Sequence, residues 1–106
     1  MKITVDTLVL VLTATAGHAA VRSYFTPSID GLRVDSCLTS TGDCGKPAAD
    51  SFCKVQGYES ALIFQRESAV YTKRLGTGEL CTSSECASFR QIKCFTPKGD
   101  LASAQN

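Results

Sequence analysis

Residues 37–58 read CLTSTGDCGKPAADSFCKVQGY, and this stretch decides the fold because it holds the best helix candidate of the chain. We expect the helix over residues 46–57. Pro47 suits the first helical turn, where its missing N–H costs nothing, and Gly57 suits the left-handed position just past a helix end. Spacings of three and four residues place these side chains on one inward face: Ala49, Phe52 and Cys53. The stretch therefore predicts a short helix whose buried face carries a cysteine.

The chain contains six cysteines in its 106 residues: Cys37, Cys44, Cys53, Cys81, Cys86 and Cys94. An even number in a small exported domain is typical of a disulfide framework, here of three bonds. The gaps between successive cysteines are 6, 8, 27, 4 and 7 residues, without the close pairs that zinc sites favour. The sequence leaves the pairing open, although we expect Cys53 to bond to a strand cysteine, and Cys81 with Cys86 could close a small loop.

Strand candidates lie on both sides of the helix, at residues 29–36, 60–66, 69–75 and 89–95. Glu67 and Ser68 are placed to form a hairpin tip between the second and third of these. In the last one, Ile92 and Cys94 share one face and Phe89 falls on the other. This order predicts an α+β fold in which one short helix packs on a small antiparallel sheet of about four strands, held by disulfides.

The amino-terminal residues 1–19 have the pattern of a secretory signal peptide, with an apolar stretch followed by Gly17-His18-Ala19. Its apolar run is much shorter than the roughly 20 residues that a membrane span needs, so we expect no stable membrane anchor. We expect a flexible leader at residues 20–28, a single domain at 29–95 and a flexible tail at 96–106. The predicted location is extracellular, or periplasmic in a bacterium.

Composition and charge exclude several classes of function. The formal net charge is +1, which gives no support to nucleic-acid binding. The only histidine, His18, lies in the predicted signal peptide, so catalysis by Ser-His-Asp or Cys-His groups is excluded for the mature chain. The carboxylates are scattered through predicted loops and strand ends. We therefore predict no catalytic residue, no metal site and no cofactor.

A group of aromatic and cationic residues on neighbouring strands is the candidate binding surface: Tyr58, Phe64, Arg66, Tyr71, Lys73 and Arg74. Such residues can stack against a sugar or bind an acidic partner. The alternative interpretation is structural. In that case Phe64 and Tyr71 belong to the core, while Arg66, Lys73 and Arg74 keep the sheet soluble.

Two stretches of the sequence form a recognisable motif: Cys37-x6-Cys44-Gly45-x-Pro47-Ala48-Ala49-Asp50-x-Phe52-Cys53-x3-Gly57-Tyr58 and Cys81-x4-Cys86-x2-Phe89-x2-Ile92-x-Cys94. Over about residues 34–94, the chain resembles a family of small secreted cysteine-rich proteins of unknown function found in plants and bacteria. The resemblance implies a small disulfide-rich fold and an exported location. It implies no particular chemistry.

Three functions are compatible with these observations. The first is a secreted, non-enzymatic recognition or defence protein that presents a rigid surface to an extracellular protein or glycan. The second is a small extracellular hydrolase that depends on a pair of carboxylates. The third is a structural protein of the cell exterior. The missing histidine and the small core favour the first, whereas a deep pocket with two facing carboxylates would favour the second.

Overall fold

The computed structural model describes residues 19–97. The predicted signal peptide, apart from Ala19, and the predicted tail beyond Pro97 lie outside the described residues. The strands in this range are β1 Ala20–Phe25, β2 Ser28–Ile29, β3 Leu32–Val34, β4 Cys37–Thr39, β5 Gly42–Cys44, β6 Ser60–Ser68, β7 Thr72–Lys73, β8 Leu80–Cys81 and β9 Ala87–Thr96. The helix α1 spans Lys46–Val55.

Helix α1 confirms the prediction from the central stretch. Pro47 lies in its first turn, and Gly57 follows its end with a φ of 96°, a conformation that glycine adopts without steric cost. The backbone N–H of Ala49 donates to the carbonyl of Gly45 at 2.9 Å. The buried face of the helix consists of Ala48, Ala49, Phe52 and Cys53. The helix therefore packs through small side chains and one large aromatic ring.

The strands form three small sheets around this helix. The largest has the order β1-β9-β6 and is antiparallel, the second has the order β2-β3-β7-β8, and β4 pairs with β5 as a hairpin. Within the second sheet β3 and β7 are parallel. The predicted class, a disulfide-rich α+β fold with one short helix packed on mainly antiparallel strands, is confirmed, but residues 19–97 form nine strands in three sheets where one sheet of about four strands was predicted. Among residues 19–97, no helix has both the length and the apolar character needed to cross a membrane.

Three disulfides hold these elements together: Cys37–Cys44, Cys53–Cys94 and Cys81–Cys86. The first closes the β4–β5 hairpin, and the last closes the loop between β8 and β9. The bond from Cys53 to Cys94 joins the helix to the central strand of the largest sheet, as the inward position of Cys53 predicted. Both sulfurs of this bond belong to fully buried residues.

The predicted flexible leader at residues 20–28 is wrong for most of its length. Residues Ala20–Phe25 form β1 and pair along β9, from Ala20 opposite Thr96 to Phe25 opposite Gln91. The reason is tertiary, because β9 offers a free hydrogen-bonding edge and the Tyr24 ring packs edge-on against Phe52 with centroids 5.1 Å apart. Thr96, expected in the tail, is the buried last residue of β9.

The predicted hairpin at Glu67 and Ser68 does not form. Strand β6 continues through both residues and pairs with β9 instead of β7. The stretch predicted as a strand over residues 69–75 contributes only Thr72–Lys73, which lies between β3 and β8. The turn lacked the Gly or Asn-Gly signal of a tight hairpin, and β6 pairs instead with the ten-residue strand β9.

Phe89 lies on the core side of β9, contrary to its predicted face. Gln65 pairs with Gln91 but Arg66 pairs with Phe89, so Arg90 is an extra residue on β9. Such a bulge reverses the alternation of side chains on one side of it. Phe89 therefore joins Ile92 in the core, where both are fully buried. The buried cluster consists of Val34, Ala48, Ala49, Phe52, Cys53, Ala61, Phe89, Ile92 and Cys94.

Candidate functional site

A cavity of about 240 Å³ lies where the loop between β8 and β9 meets the segment after β3. We call it the arginine cavity, because Arg66 from β6 and Arg74, the residue directly after β7, both line it. Its full lining is Asp35, Ser36, Cys37, Ser40, Arg66, Arg74, Cys81, Ser83, Glu85, Cys86 and Ala87. Two of the three disulfides contribute sulfur-bearing residues to its wall. Asp35 and Arg74 directly follow β3 and β7, Glu85 lies in the loop closed by Cys81 and Cys86, and Arg66 lies within β6.

Asp35 forms the buried floor of the arginine cavity, with 4% of its surface exposed. Its Oδ1 atom accepts a hydrogen bond from the backbone N–H of Cys37 at 2.8 Å, and its Oδ2 atom accepts the hydroxyl of Thr72. The backbone N–H of Asp35 donates to the carbonyl of Lys73 at 2.9 Å. Both carboxylate oxygens are thus held by protein donors, as a buried charge requires.

Arg74 is held beside this carboxylate by two ion pairs that are longer than hydrogen bonds. Its Nε atom lies 4.0 Å from Oδ1 of Asp35, and its Nη1 atom lies 3.8 Å from Oε1 of Glu79. The side chain is 18% exposed, and its Nε atom is buried without a hydrogen-bond partner in the described residues. The turn after β7 fixes the backbone, since Gly78 donates to the Arg74 carbonyl at 2.7 Å.

Arg66 reaches the arginine cavity from the neighbouring sheet. Its Nη2 atom donates to the hydroxyl of Ser36 at 3.2 Å. Arg66 is exposed, and within residues 19–97 its guanidinium forms no ion pair with a carboxylate. The bulge at Arg90 sets the register of β9 opposite Arg66. Two guanidinium groups from different sheets therefore reach the same cavity.

Disulfides and backbone hydrogen bonds fix the walls of the arginine cavity. Within the loop closed by Cys81 and Cys86, the N–H of Ser83 donates a hydrogen bond to the Cys86 sulfur at 3.2 Å. A second hydrogen bond joins this loop to the residue after β6, where the N–H of Ala69 donates to the Cys86 carbonyl at 3.1 Å. Ser36 donates its N–H to the carbonyl of Ala87 at 2.8 Å. The wall is therefore formed before any ligand arrives.

The six residues predicted as a binding surface do not form one patch. Arg66 and Arg74 meet in the arginine cavity, while Tyr58 and Phe64 pack against the core as partly buried side chains. The Phe64 ring lies edge-on to Phe89 with centroids 5.7 Å apart, which agrees with the structural interpretation of that residue. The remaining two lie at β7: Lys73 is half-buried, and Tyr71 is 61% exposed at a positive φ of 58°.

The structural alternative placed Tyr71 in the core, and this prediction is wrong because the side chain is exposed. Positive φ is rare for a bulky residue, and here it occurs in the short connection between β6 and β7. Because Val70 beside it is also exposed, this connection carries two large apolar side chains into solvent. Neither of them lines the arginine cavity.

The sequence reasoning did not identify Asp35 and Ser36 as members of a site. Asp35 was one of several scattered carboxylates, and its role depends on contacts with Thr72 and Arg74, which lie more than thirty positions away in the chain. A signal was nevertheless present, since a charged and a polar residue directly follow Leu32 and Val34 of the predicted first strand and precede a cysteine. Ser36 is 1% exposed, a burial that a serine rarely shows without a hydrogen-bonding role.

A second group of charges lies outside the arginine cavity and has a structural role. Arg33 donates from Nη2 to Oε2 of Glu67 at 2.7 Å and to the carbonyl of Phe89 at 2.8 Å. Arg90 lies on the other side, with its Nε atom 3.5 Å from Oε1 of Glu67. The hydrogen bond from Arg33 lowers the pKa of Glu67; burial opposes this effect, and the charges of Arg33 and Arg90 add to it.

The arginine cavity can bind an anionic group through charge-assisted hydrogen bonds. Within residues 19–97, no three His, Cys, Asp or Glu side chains are grouped as metal ligands. The fold and the cavity define the chain as a small α+β domain held by three disulfides. Comparisons with known protein families, curated proteins and solved structures gave no match.

Proposed function

We propose that the chain is a secreted, non-enzymatic recognition module that binds an extracellular protein or glycan through the arginine cavity. The observation that carries this proposal is the convergence of Arg66 and Arg74 on one cavity walled by disulfides. The resemblance to small secreted cysteine-rich proteins remains a prediction and is consistent with the same role.

The rigidity of the cavity supports recognition. Two disulfides, Cys37–Cys44 and Cys81–Cys86, together with the hydrogen bonds around Ser36 and Cys86, hold the wall in place. Little conformational entropy is then lost when a ligand binds, which favours affinity in a small protein with limited contact area. Arginine suits this task because its planar guanidinium forms paired hydrogen bonds to an acidic group.

A carboxylate-dependent hydrolase is the second candidate, because Asp35 and Glu85 both line the arginine cavity. A catalytic carboxylate must present an oxygen to the substrate or to water. Both oxygens of Asp35 instead accept hydrogen bonds from Thr72 and Cys37, and the residue is nearly fully buried. This arrangement favours a role for Asp35 in holding Arg74 over a role in catalysis.

The experiment is a binding screen of the oxidised full chain against arrays of extracellular proteins and glycans. The test variant carries Arg66→Gln and Arg74→Gln. The matched control carries Arg22→Gln and Lys54→Gln, which remove the same charge from surface positions outside the cavity. We expect binding that falls at least about tenfold in the test variant, the equivalent of one charge-assisted hydrogen bond, and that persists in the control.

Two results would overturn the proposal. Equal binding by the test and control variants would place the recognition surface elsewhere on the domain. Hydrolysis of a bound glycan, abolished by Glu85→Gln, would identify an enzyme. Circular dichroism of each variant establishes that the fold is intact before binding is compared.

A further inference from the structure

We infer that the arginine cavity binds one sugar-acid unit of an acidic glycan, with its carboxylate between Arg66 and Arg74. This inference rests on the proposed recognition function and narrows it from a protein or glycan to a uronate-containing glycan. Three properties of the cavity carry it: the Arg66 guanidinium that forms no ion pair in the described residues, the hydrogen-bonding groups and the size.

Arg66 forms no ion pair within residues 19–97 and is available to a single negative charge. Arg74 lies within ion-pair distance of Asp35 and of Glu79, at 4.0 and 3.8 Å, so its charge is already compensated. Arg66 contacts only the neutral hydroxyl of Ser36 among the described residues. The Arg66 guanidinium is thus not paired with a carboxylate in the described part of the chain, although Glu85 lines the same cavity. A ligand with one carboxylate pairs with Arg66, whereas a polyanion would place further negative charge near Glu79 and Glu85.

The two arginines also supply more donors than the protein uses. A guanidinium has five N–H groups, and Arg66 uses Nη2 for Ser36. The Arg74 side chain forms no hydrogen bond within residues 19–97, although it is 18% exposed. A carboxylate offers acceptor positions on both oxygens and can accept paired N–H groups from a guanidinium. The unused donors therefore fit a carboxylate better than a neutral carbonyl.

The remaining groups of the lining require a ligand that also brings hydrogen-bond donors. Glu85 is exposed at the cavity, and an ionised carboxylate can only accept hydrogen bonds. Ser40 and Ser83 add hydroxyls that donate or accept. Sugar hydroxyls satisfy both kinds of partner. An acidic peptide can offer Glu85 only its backbone N–H donors, and it carries its charges in series along an extended chain.

The size of the cavity fits a single unit. Its volume is about 240 Å³, below the roughly 300–1,000 Å³ of pockets that hold drug-sized ligands. One ring that bears a carboxylate and hydroxyls is a suitable occupant. Longer glycans would continue outward past the exposed serines at the rim.

The test uses isothermal titration calorimetry with the oxidised full chain and four probes. These are galacturonate, its trimer, the fully methyl-esterified trimer and an oligoglutamate peptide. We expect the trimer to bind and its methyl ester to bind at least about tenfold more weakly, because esterification removes the charge that Arg66 pairs with.

A similar loss of affinity for the trimer is expected for Arg66→Gln, and Arg66→Lys should recover only part of that affinity, since lysine lacks the paired donors. The control Arg22→Gln should bind as the unaltered protein does.

The outcomes separate this inference from the proposed function. If the ester binds as tightly as the acid, or oligoglutamate binds more tightly than the trimer, the sugar-acid inference is wrong. It is also wrong if none of the four probes binds while the array screen still finds a partner that depends on Arg66 and Arg74. In each of these three outcomes, the proposed recognition function stands. Binding of galacturonate alone, without a gain from the trimer, would identify a free sugar acid as the ligand and overturn the assignment to a glycan.

Discussion

The hydroxyl of Thr72 donates a hydrogen bond to Oδ2 of Asp35, and both residues are buried in the interior of the domain. This contact joins β7 to the segment that follows β3, where those two strands pair in parallel. The other oxygen of Asp35 lies 4.0 Å from Nε of Arg74. One buried carboxylate therefore connects the sheet with the arginine cavity, and its loss should affect both stability and binding.

The first prediction concerns the donor side of this contact. Thr72→Val has nearly the same shape but no hydroxyl, so one oxygen of a buried carboxylate loses its partner. We expect a loss of about 1–3 kcal/mol in the free energy of unfolding, measured by urea denaturation. Thr72→Ser keeps the hydroxyl and loses only a methyl group, at a cost of roughly 1 kcal/mol. If the valine variant is as stable as the serine variant, the hydrogen bond contributes nothing to the fold.

The second prediction ranks two disulfides. The bond between Cys53 and Cys94 closes a loop with a sequence separation of 41, against 5 for Cys81 and Cys86. In the chain-entropy model, closing these loops stabilises the folded state by about 4 and about 2 kcal/mol, respectively. We expect Cys53→Ala with Cys94→Ala to lower the free energy of unfolding more than Cys81→Ala with Cys86→Ala.

The measurement is urea denaturation of both double variants, which leave the other cysteines paired. A larger loss for the pair at 81 and 86 would mean that its loop carries more of the fold than chain entropy accounts for. Binding separates the two further, because Cys81 and Cys86 line the arginine cavity. Their removal should weaken binding at temperatures where the variant is still folded.

The parts of the fold that could be predicted are those set by neighbours in sequence. The helix follows from the spacing of Pro47, Phe52 and Gly57, and the inward position of Cys53 correctly indicated a bond to a strand. Strand β1 was missed because Ala20–Phe25 pairs with residues about seventy positions away. Nothing local distinguishes such a strand from a leader, because the partner edge on β9 exists only in the folded chain.

The candidate site shows the same division. Arg66 and Arg74 were predicted from their residue type, as cations among β-rich stretches. Their shared cavity could not be predicted, because it depends on β6 pairing with β9 and on the bulge at Arg90. Asp35 was overlooked for a related reason, since a carboxylate beside Arg74 is recognisable only once β3 and β7 lie side by side.

The third prediction concerns a close backbone approach at Gly76. Its N–H donates to the carbonyl of Leu38 at 3.0 Å, and a Cβ atom at this position would lie 2.6 Å from that oxygen. Gly76→Ala therefore forces the turn after β7 away from β4, and we expect a loss of about 1–3 kcal/mol in the free energy of unfolding. Thermal or urea denaturation measures it.

Gly42→Ala is the matched control for this substitution. Gly42 is the first residue of β5, directly after a short turn, but a Cβ atom there would meet nothing within 4 Å, and its φ is not in the left-handed range. We expect a change within about 0.5 kcal/mol. Equal effects at both positions would show that the contact between Gly76 and Leu38 is looser than the structure indicates.

The fourth prediction concerns the acid range and the ion pair between Arg33 and Glu67. Because the hydrogen bond from Arg33 lowers the pKa of Glu67, the folded state binds this proton less readily than the unfolded state. The pair therefore stabilises the fold at pH values above the ordinary glutamate pKa, about 4.3, and that contribution is lost as the pH falls through the lower folded value. Glu67→Gln should be less stable than the unaltered protein at neutral pH and should lose less stability on acidification.

Urea midpoints from pH 7 to about pH 2 measure both effects, with Glu59→Gln, an exposed glutamate outside this ion pair, as control. A Glu67→Gln profile parallel to that of the control would mean that Arg33 does not stabilise the ionised carboxylate.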